Sequence, residues 1–360
     1  MEGITSNIIH RSIGKRLVRW YIKNRRDLPW RHTRNAYLIW VSESILQQTR
    51  VVQGLDYYIR FTSLFPDLYS LAAAQPDEVM KAWQGLGYYN RARNLHEAAR
   101  DVVNNLAGKI PTTYDGLLKM KGIGPYIAAA IASFAFNEKI PVVDGNVVRF
   151  ISRLMGIYST DRKIFLSTVS DMMDSEEPSS FNQAIMEFGA LQCIPGLPHC
   201  HECIFSKECY ACTSGEIESL PVKRKRSVRK KRYFHYFIIV KPNEIVMKRR
   251  DSTDIWKGLY DFPLIQTSRP TSLAKLRDNP LFKDLFENQK PLVTKTTKVF
   301  PHILTHQVIF AKFYIIDDQQ DLLRVNKCLL RISFEKIAIM PVPRLIENFL
   351  KKTDWQNRWS

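Results

Sequence analysis

Five of the six cysteines fall within the twenty residues from Cys193 to Cys212, and no other feature restricts the fold of this chain so strongly. Cys193, Cys200, Cys203 and Cys209 are spaced C-x6-C-x2-C-x5-C. Such a loop is too short to bury a core of its own, yet four soft sulfur ligands can wrap a compact metal group. Six cysteines in 360 residues is sparse for a disulfide framework, so the clustering reads as metal binding in a reducing compartment. Cys212 adds a second CxxC with Cys209, which leaves open a zinc site built from Cys200, Cys203, Cys209 and Cys212. Only five residues separate those two pairs, where zinc ribbons interpose ~15–20, and this favours iron–sulfur over zinc. Cys328 sits in a β-rich run and reads as a buried apolar residue.

The loop divides two kinds of sequence. From Asn7 to Gln192 apolar residues recur at helical spacing, as in NIIHRSIGKRLVRWYI, AYLIWVSESILQQT, ARNLHEAARDVVNNL, PYIAAAIASFAF and GNVVRFISRLMG. About ten helices are expected there. Between Ser214 and Arg232 apolar content falls, and residues 223–232, KRKRSVRKKR, carry eight basic side chains. Beyond them β-rich runs, YFHYFIIV, EIVMKRR, LVTKTTKVF and HQVIFAKFYII, alternate with helical pieces, TSLAKLRDN and PRLIENFLKK. The expected organisation is therefore a helical domain over 1–213, a basic linker over 214–232 and an α+β domain over 233–360.

The formal net charge is +18 and the pI near 9.6, a balance that suits a polyanionic, phosphate-bearing partner. The longest mostly apolar stretch, Ile127–Phe136, falls short of the ~20 residues a bilayer crossing needs, and the N-terminus has no apolar signal core. The sequence thus predicts a protein without membrane association, monomeric and cytoplasmic, lying with the nucleoid if the source is bacterial.

Two segments carry candidate chemistry. In LLKMKGIGPYIAAA, Gly122 and Gly124 bracket one apolar residue between helical stretches, where the backbone can turn tightly and offer amide N–H groups to a phosphate, or simply make a turn. Pro125 starts the next helix. Asp144, in PVVDGNVVRF, opens another, either as an N-cap or as a reacting carboxylate. Glu43, in VSESILQQTRVV, lies on one helical face with Leu46 and Gln47, and a carboxylate beside such neighbours is either solvated or functional.

Taken together these motifs resemble the adenine DNA glycosylase (MutY) family of helix-hairpin-helix DNA glycosylases. The cysteine spacing resembles the 4Fe–4S loop of the endonuclease III and adenine glycosylase branch, which implies Cys193, Cys200, Cys203 and Cys209 as ligands. The hairpin and Asp144 resemble the superfamily's Gly, Pro, Asp signature, and SE-x-x-LQQT resembles the stretch that holds the family's catalytic acid, here Glu43. The resemblance further implies that Asp144 stays ionised towards the sugar with Asn146 steering it or the water. It assigns Arg26, Trp30, Arg31, Leu46 and Glu187 to an adenine pocket, and Gln48 and Tyr88 to contacts near the opposite base. Tyr88 and its neighbour Tyr89 could equally be core. Tyr126 stands where endonuclease III carries its Schiff-base lysine, so a monofunctional glycosylase is implied rather than a lyase.

IWKGLYDFP and PHILTHQVIFAKF resemble the family's MutT-like C-terminal domain. No Nudix-type run of glutamates follows a glycine, so the domain reads as a binder. The family's lesion-contacting Phe-Ser-His corresponds to Leu304, Thr305 and His306, which keep a hydroxyl and an imidazole and lose the aromatic ring. The resemblance implies an all-α glycosylase domain with a 4Fe–4S loop, followed by an α+β MutT/Nudix-like domain. The substrate expected is double-stranded DNA with adenine opposite 8-oxoguanine or G. Endonuclease III-like pyrimidine excision, and a non-catalytic iron–sulfur DNA-binding protein, are the rival expectations.

Overall fold

The computed structural model describes residues 2–173, 176–223, 228–250, 254–326 and 328–352, with side chains from residue 10 onward. Residues 224–227 of the basic run, and 353–360 at the end of the expected second domain, lie outside the described residues. The chain divides into two compact units: Met1–Ala73 with Asn94–Lys225, and Ala74–Arg93 with Arg226–Ser360. Residues 74–93, which the sequence places in the helical half, therefore cluster with the second unit.

Twelve α-helices are described between Glu2 and Thr213. They are α1 (Glu2–Asn24), α2 (Ala36–Leu46), α3 (Val51–Leu64), α4 (Leu68–Ala73), α5 (Pro76–Ala82), α6 (Asn90–Asn105), α7 (Tyr114–Leu118), α8 (Pro125–Phe136), α9 (Gly145–Met155), α10 (Arg162–Met172), α11 (Pro178–Leu191) and α12 (Tyr210–Thr213). Eleven of them, α1–α11, fall in the stretch where about ten are expected, and the short pieces α4 and α7, of six and five residues, give no readable 3.6-residue period. Proline opens α5, α8 and α11, where its missing N–H would lack a helical partner anyway. Helix α8 is apolar on every side and packs against α2, α7 and α11. The amphipathic helices α1, α9, α10 and α11 close a second core around Leu17, Tyr21, Phe150, Phe165, Phe181 and Phe188. Helix α2 ends at Leu46, one residue before Gln47, so only Glu43 and Leu46 share the helical face.

The second unit is built on a mixed sheet of β1 (Lys230–Lys241), β2 (Glu244–Arg249), β3 (Tyr260–Asp261), β4 (Leu264–Thr267), β5 (Lys295–Thr296), β6 (Phe300–Ile303), β7 (Gln307–Asp317) and β8 (Leu330–Ser333). Strands β1 and β7 are parallel from Lys230↔Gln307 to Val240↔Asp317; the remaining pairs are antiparallel. Alternation along β1 sends Phe234, Tyr236 and Ile238 to one face, where Phe313 stacks on Phe349 of the helix Arg344–Lys352 at 4.0 Å between ring centroids. Phe237 and Ile239 go to the other, against Phe282 and Phe286. Both faces are covered, which is why β1 reads as an unbroken apolar run.

Residues 74–93 are tied to this unit by polar contacts. Asp77 accepts from Tyr260 Oη (2.8 Å) and Arg249 Nη2 (3.0 Å), Lys81 Nζ donates to Met340 O (3.1 Å), and Val342 N–H donates to Gln84 Oε1 (3.1 Å). Three expectations need correction. Lys230–Arg232 begin β1, and Arg232 is buried against Asp254, Gln266 and Gln307 rather than solvated in a linker. LVTKTTKVF gives only the two-residue β5 before β6 begins. Cys328 is exposed in a turn, its N–H bonded to Asn326 Oδ1 (2.9 Å), because the Asn side chain imposes a turn that apolar alternation does not register.

No described helix is long and apolar enough to cross a membrane. Of the hairpin glycines, Gly122 has φ +74°, and a Cβ there would meet Asn94 Cβ at 2.4 Å, whereas a Cβ on Gly124 would meet nothing within 4 Å. Gly122→Ala should therefore destabilise the fold by roughly 2–3 kcal/mol, and Gly124→Ala by under about 1 kcal/mol, as read from urea midpoints.

Candidate active site

The candidate site is a cleft of about 400 Å³ in the first unit, lined among others by Arg26, Trp30, Arg31, Glu43, Leu46, Tyr126, Asp144, Asn146 and Glu187. The pocket and carboxylate residues named from sequence thus come together. Gln48 lines an adjoining cleft of about 690 Å³ with Tyr126, Asp144 and Asn146.

Glu43 projects from α2, which Asn35 caps by accepting from the N–H groups of Tyr37 and Leu38. The side chain is only 5% exposed, and its Oε2 accepts the hydroxyl proton of Tyr126 at 2.8 Å. Burial pushes the carboxyl up to about 7; the Tyr126 hydrogen bond opposes this, while the nearby Asp144 adds to it. Glu43 is therefore not a surface acid.

Asp144 caps α9. Its Oδ1 accepts from the N–H groups of Asn146 and Val147, each at 2.8 Å, and Oδ2 accepts from Asn146 Nδ2 at 2.7 Å. Burial raises this carboxyl, against the three hydrogen bonds and the Arg149 charge, which favour its ionised form. The capping role and the cleft position coincide.

Two residues that the sequence reading passed over hold this arrangement. Arg149 Nη2 donates to Asn146 Oδ1 (2.9 Å) and Gly189 O (2.6 Å), and Nε donates to Cys193 O (2.7 Å). A Cβ on Gly189 would lie 2.6 Å from Asn146 O, so only glycine lets α11 approach α9 there. The legible signal for Arg149 is its i+3 spacing from Asn146.

Glu187, 1% exposed, is gripped by two guanidinium groups. Arg26 donates through its backbone N–H (2.9 Å), Nε (3.0 Å) and Nη2 (2.5 Å), and Arg31 through Nη1 (2.7 Å) and Nη2 (2.5 Å). These bonds outweigh burial and hold the carboxylate down at about 2. Glu187 thus organises the arginines, and its acceptor sites are filled by them. Trp30 is half-buried and meets Tyr58 edge-to-face at 5.1 Å, leaving part of its ring to line the cleft.

The five cysteines of the loop line one pocket with Phe150, Phe188 and Phe205. Among the described residues no three His, Cys, Asp or Glu side chains converge as ligands of a single metal ion. The donor set nonetheless fits a larger thiolate-held group. Arg153 Nη1 donates to Cys193 Sγ (3.6 Å), Phe205 N–H donates to Cys203 Sγ (3.4 Å), and Cys209 Sγ donates to Arg153 O (3.3 Å). Burial, with the charge of neighbouring thiols, pushes Cys200 up to about 11. Cys203 is also pushed up to about 11 by burial. A cationic group bound by these sulfurs would favour their thiolate forms.

Within the second unit, Tyr88 and Tyr89 separate cleanly: Tyr89 is buried, whereas Tyr88 is 46% exposed with φ +48° and shares a hydrogen bond with Thr305 Oγ1. Leu304, Thr305 and His306 form the turn between β6 and β7. Thr305 and His306 are exposed, so His306 is no strand histidine, and Leu304 packs on the sheet core instead of facing outward. Lys121, the residue before Gly122 of the hairpin, is paired with Glu97 at 2.5 Å.

The family model described as HhH-GPD superfamily base excision DNA repair protein matches residues 41–168, and that of the NUDIX domain matches 235–352. The chain is 32% identical over 296 residues to the adenine DNA glycosylase of Buchnera aphidicola (subsp. Acyrthosiphon pisum), covering 81% of this chain and 83% of that protein. It is 34% identical to the Arabidopsis thaliana adenine DNA glycosylase over 88% of this chain, and spans 58% of that longer protein. Among solved structures, a thermostable thymine-DNA glycosylase superposes with TM-score 0.55 at 28% identity, covering 59% of this chain and 100% of its own. An endonuclease III–DNA covalent intermediate shares the fold, with TM-score 0.52 at 20% identity over 58% of this chain and 98% of its own. The helical half is an HhH-GPD glycosylase fold, the second half is Nudix-like, and the chain belongs to the adenine DNA glycosylase family.

Proposed function

We propose that the protein removes adenine from double-stranded DNA where it lies opposite 8-oxoguanine or guanine, hydrolysing the N-glycosidic bond at the start of base excision repair. The observation that carries this reading is the pairing in one cleft of a buried carboxyl raised to about 7 with a capped, three-fold hydrogen-bonded one.

Adenine stacked in a duplex cannot reach such a cleft, so its nucleotide must swing out of the helix. In this reading Arg26, Arg31, Trp30 and Leu46 receive the base. Glu43 supplies the proton that lets the neutral purine leave, since an acid near pH 7 is well matched to that transfer. Asp144 stabilises the cationic sugar, and Asn146 holds Oδ2 in place and steers the carboxylate or the attacking water. The amides of Gly122–Gly124 grip backbone phosphate, and Gln48 and Tyr88 support the opposite strand. Cys193, Cys200, Cys203 and Cys209 would hold a 4Fe–4S cluster, which when bound braces the loop and carries no reacting atom.

The target adenine is undamaged, so selectivity must come from its partner. Thr305 and His306 offer that base a hydroxyl and an imidazole from an exposed turn, while Leu304, packed inward, gives it no stacking surface. The protein acts as a monomer in this scheme.

Glu43→Gln should abolish single-turnover excision while duplex binding stays within about threefold, because the acid acts only in the transition state. The pH dependence follows from the raised carboxyl. Its protonated form stabilises the fold fully below the unfolded value near 4.5, and that contribution is lost as pH rises through about 7. The substituted protein should therefore gain on wild type by on the order of 2–3 kcal/mol between about pH 4 and pH 9 in denaturant titrations. Equal excision rates, or parallel stability curves, would refute the assignment of the acid.

Tyr126 offers no amine, so borohydride added during turnover should trap almost no protein–DNA adduct; a strong trapped band would point to a lyase. Thr305→Ala with His306→Ala should lower the ratio of binding affinities for 8-oxoguanine and guanine duplexes about tenfold at one fixed salt concentration, with excision opposite guanine little changed. An unaltered ratio would remove the β6–β7 turn from lesion reading.

A further inference from the structure

Beside the cleft assigned to the base lies the larger one, of about 690 Å³, to which the scheme above gives no part of the extruded nucleotide. Leu46, Tyr126, Asp144 and Asn146 line both, so the two clefts adjoin at the residues that would meet the sugar. Among the described residues lining the larger cleft, Asp144 and Arg162 are the charged ones. Asp144 has both oxygens engaged by Asn146 and Val147. Arg162 is exposed, and the local fold fixes where it stands. It opens α10, which Asp161 caps by accepting from Lys163 N–H at 2.9 Å, and Phe165, one turn on, is 1% exposed and lines the same cleft. Arg162 Nη2 donates to Val143 O at 3.1 Å, the carbonyl just before Asp144. One edge of the guanidinium is thereby tied to the segment that carries the carboxylate.

A nucleotide whose base fills the first cleft and whose sugar meets Asp144 must lead its backbone away from the base, and the adjoining cleft is the space that opens there. A phosphate entering it is repelled by the Asp144 carboxylate unless a cation offsets that repulsion. We propose that Arg162 binds a backbone phosphate directly flanking the extruded adenosine, and so holds the sugar of that nucleotide against Asp144. A guanidinium has five N–H donors in a planar fork, so one bond to Val143 O is compatible with a second edge turned to phosphate oxygens. A lysine there would supply the charge without the fork. The contact is additional to the amides of Gly122–Gly124, which precede α8 and belong to a different segment. The inference rests on the adenine-excision reading, and the tests separate failure of one from failure of the other.

The measurement is the affinity of the full-length protein for duplexes with 2′-fluoro-2′-deoxyadenosine, which resists hydrolysis, opposite guanine. Each phosphate flanking that nucleotide is replaced in turn by an uncharged methylphosphonate. Wild type should lose about five- to tenfold in affinity at one of the two positions. Arg162→Gln, whose amide can still donate to Val143 O, should bind the unmodified duplex about five- to tenfold more weakly at one fixed salt concentration. It should lose under about twofold more when the sensitive phosphate is neutralised, and the slope of its log affinity against log salt should be shallower by about one. Arg162→Lys should bind within about threefold of wild type and restore the slope. Should Arg162→Gln fail to fold, Arg162→Lys still decides, because the sensitive phosphate must remain sensitive in it. The proposal is overturned if neither methylphosphonate weakens wild type, if Arg162→Gln keeps the full loss at the sensitive position, or if its salt slope is that of wild type. Adenine excision by wild type alongside any of these results would leave the proposed function standing without Arg162. Absence of adenine excision by wild type would overturn that function and this inference with it.

Discussion

A carboxylic acid keeps its proton at neutral pH only if it is taken out of water, and the burial of Glu43 is the constraint around which the first unit is organised. Satisfying it requires a helix that can be enclosed. In α2 the residues around the acid, Ile39, Trp40, Val41 and Ile45, are all buried, and α8 supplies an equally apolar neighbour. The acid's polar contact with that neighbour is the Tyr126 hydroxyl, a donor that moderates the penalty without cancelling it. A lysine at that place would bring a positive charge next to the acid and pull its pKa back down. The tyrosine is therefore compatible with an acid role for Glu43 in a way that an ammonium group would not be.

The second carboxylate is fixed by the opposite means. Asp144 spends its oxygens on the first turn of α9, and its second-turn neighbour Arg149 ties Asn146 to the carbonyls of Gly189 and Cys193. A single guanidinium thus links the cap of α9, the end of α11 and the entrance of the cysteine loop. The geometry makes the loop part of the frame that holds Asp144, so a group ligated there would act on the site through this frame.

Much of this was legible in the sequence, and the exceptions have physical causes. The bounds of α8 are those of PYIAAAIASFAF, because proline opens it and Asn137 in the left-handed conformation closes it. The pocket residues converge although 161 positions separate Arg26 from Glu187, and it was their resemblance to known motifs, not periodicity, that joined them. What remained hidden depends on tertiary context. The saturation of Glu187 by two arginines is a matter of distances, and Cys328 was misread because a side-chain turn overrode local β-propensity. The association of residues 74–93 with the sheet unit was equally unreadable, since α5 has an ordinary amphipathic sequence and only the partners of Asp77, Lys81 and Gln84 reveal where it is tied.

The display of Tyr88 shows how such ties act on an exposed side chain. A tyrosine with φ +48° is strained by on the order of 1 kcal/mol or more, and it persists only where its neighbours over-determine the loop. Here they do. Tyr89 is buried, and the carbonyl of Gly87 is held by both Trp83 Nε1 and Arg91 Nη2, each at 3.2 Å. With the residues on either side fixed, the left-handed residue is turned outward, with Arg91 over its ring at 5.5 Å. Its hydroxyl then finds Thr305 on the β6–β7 turn. The ring is thus held by its hydroxyl contact and by the Arg91 guanidinium, and in the stacking role proposed for it such a ring would lose little further entropy.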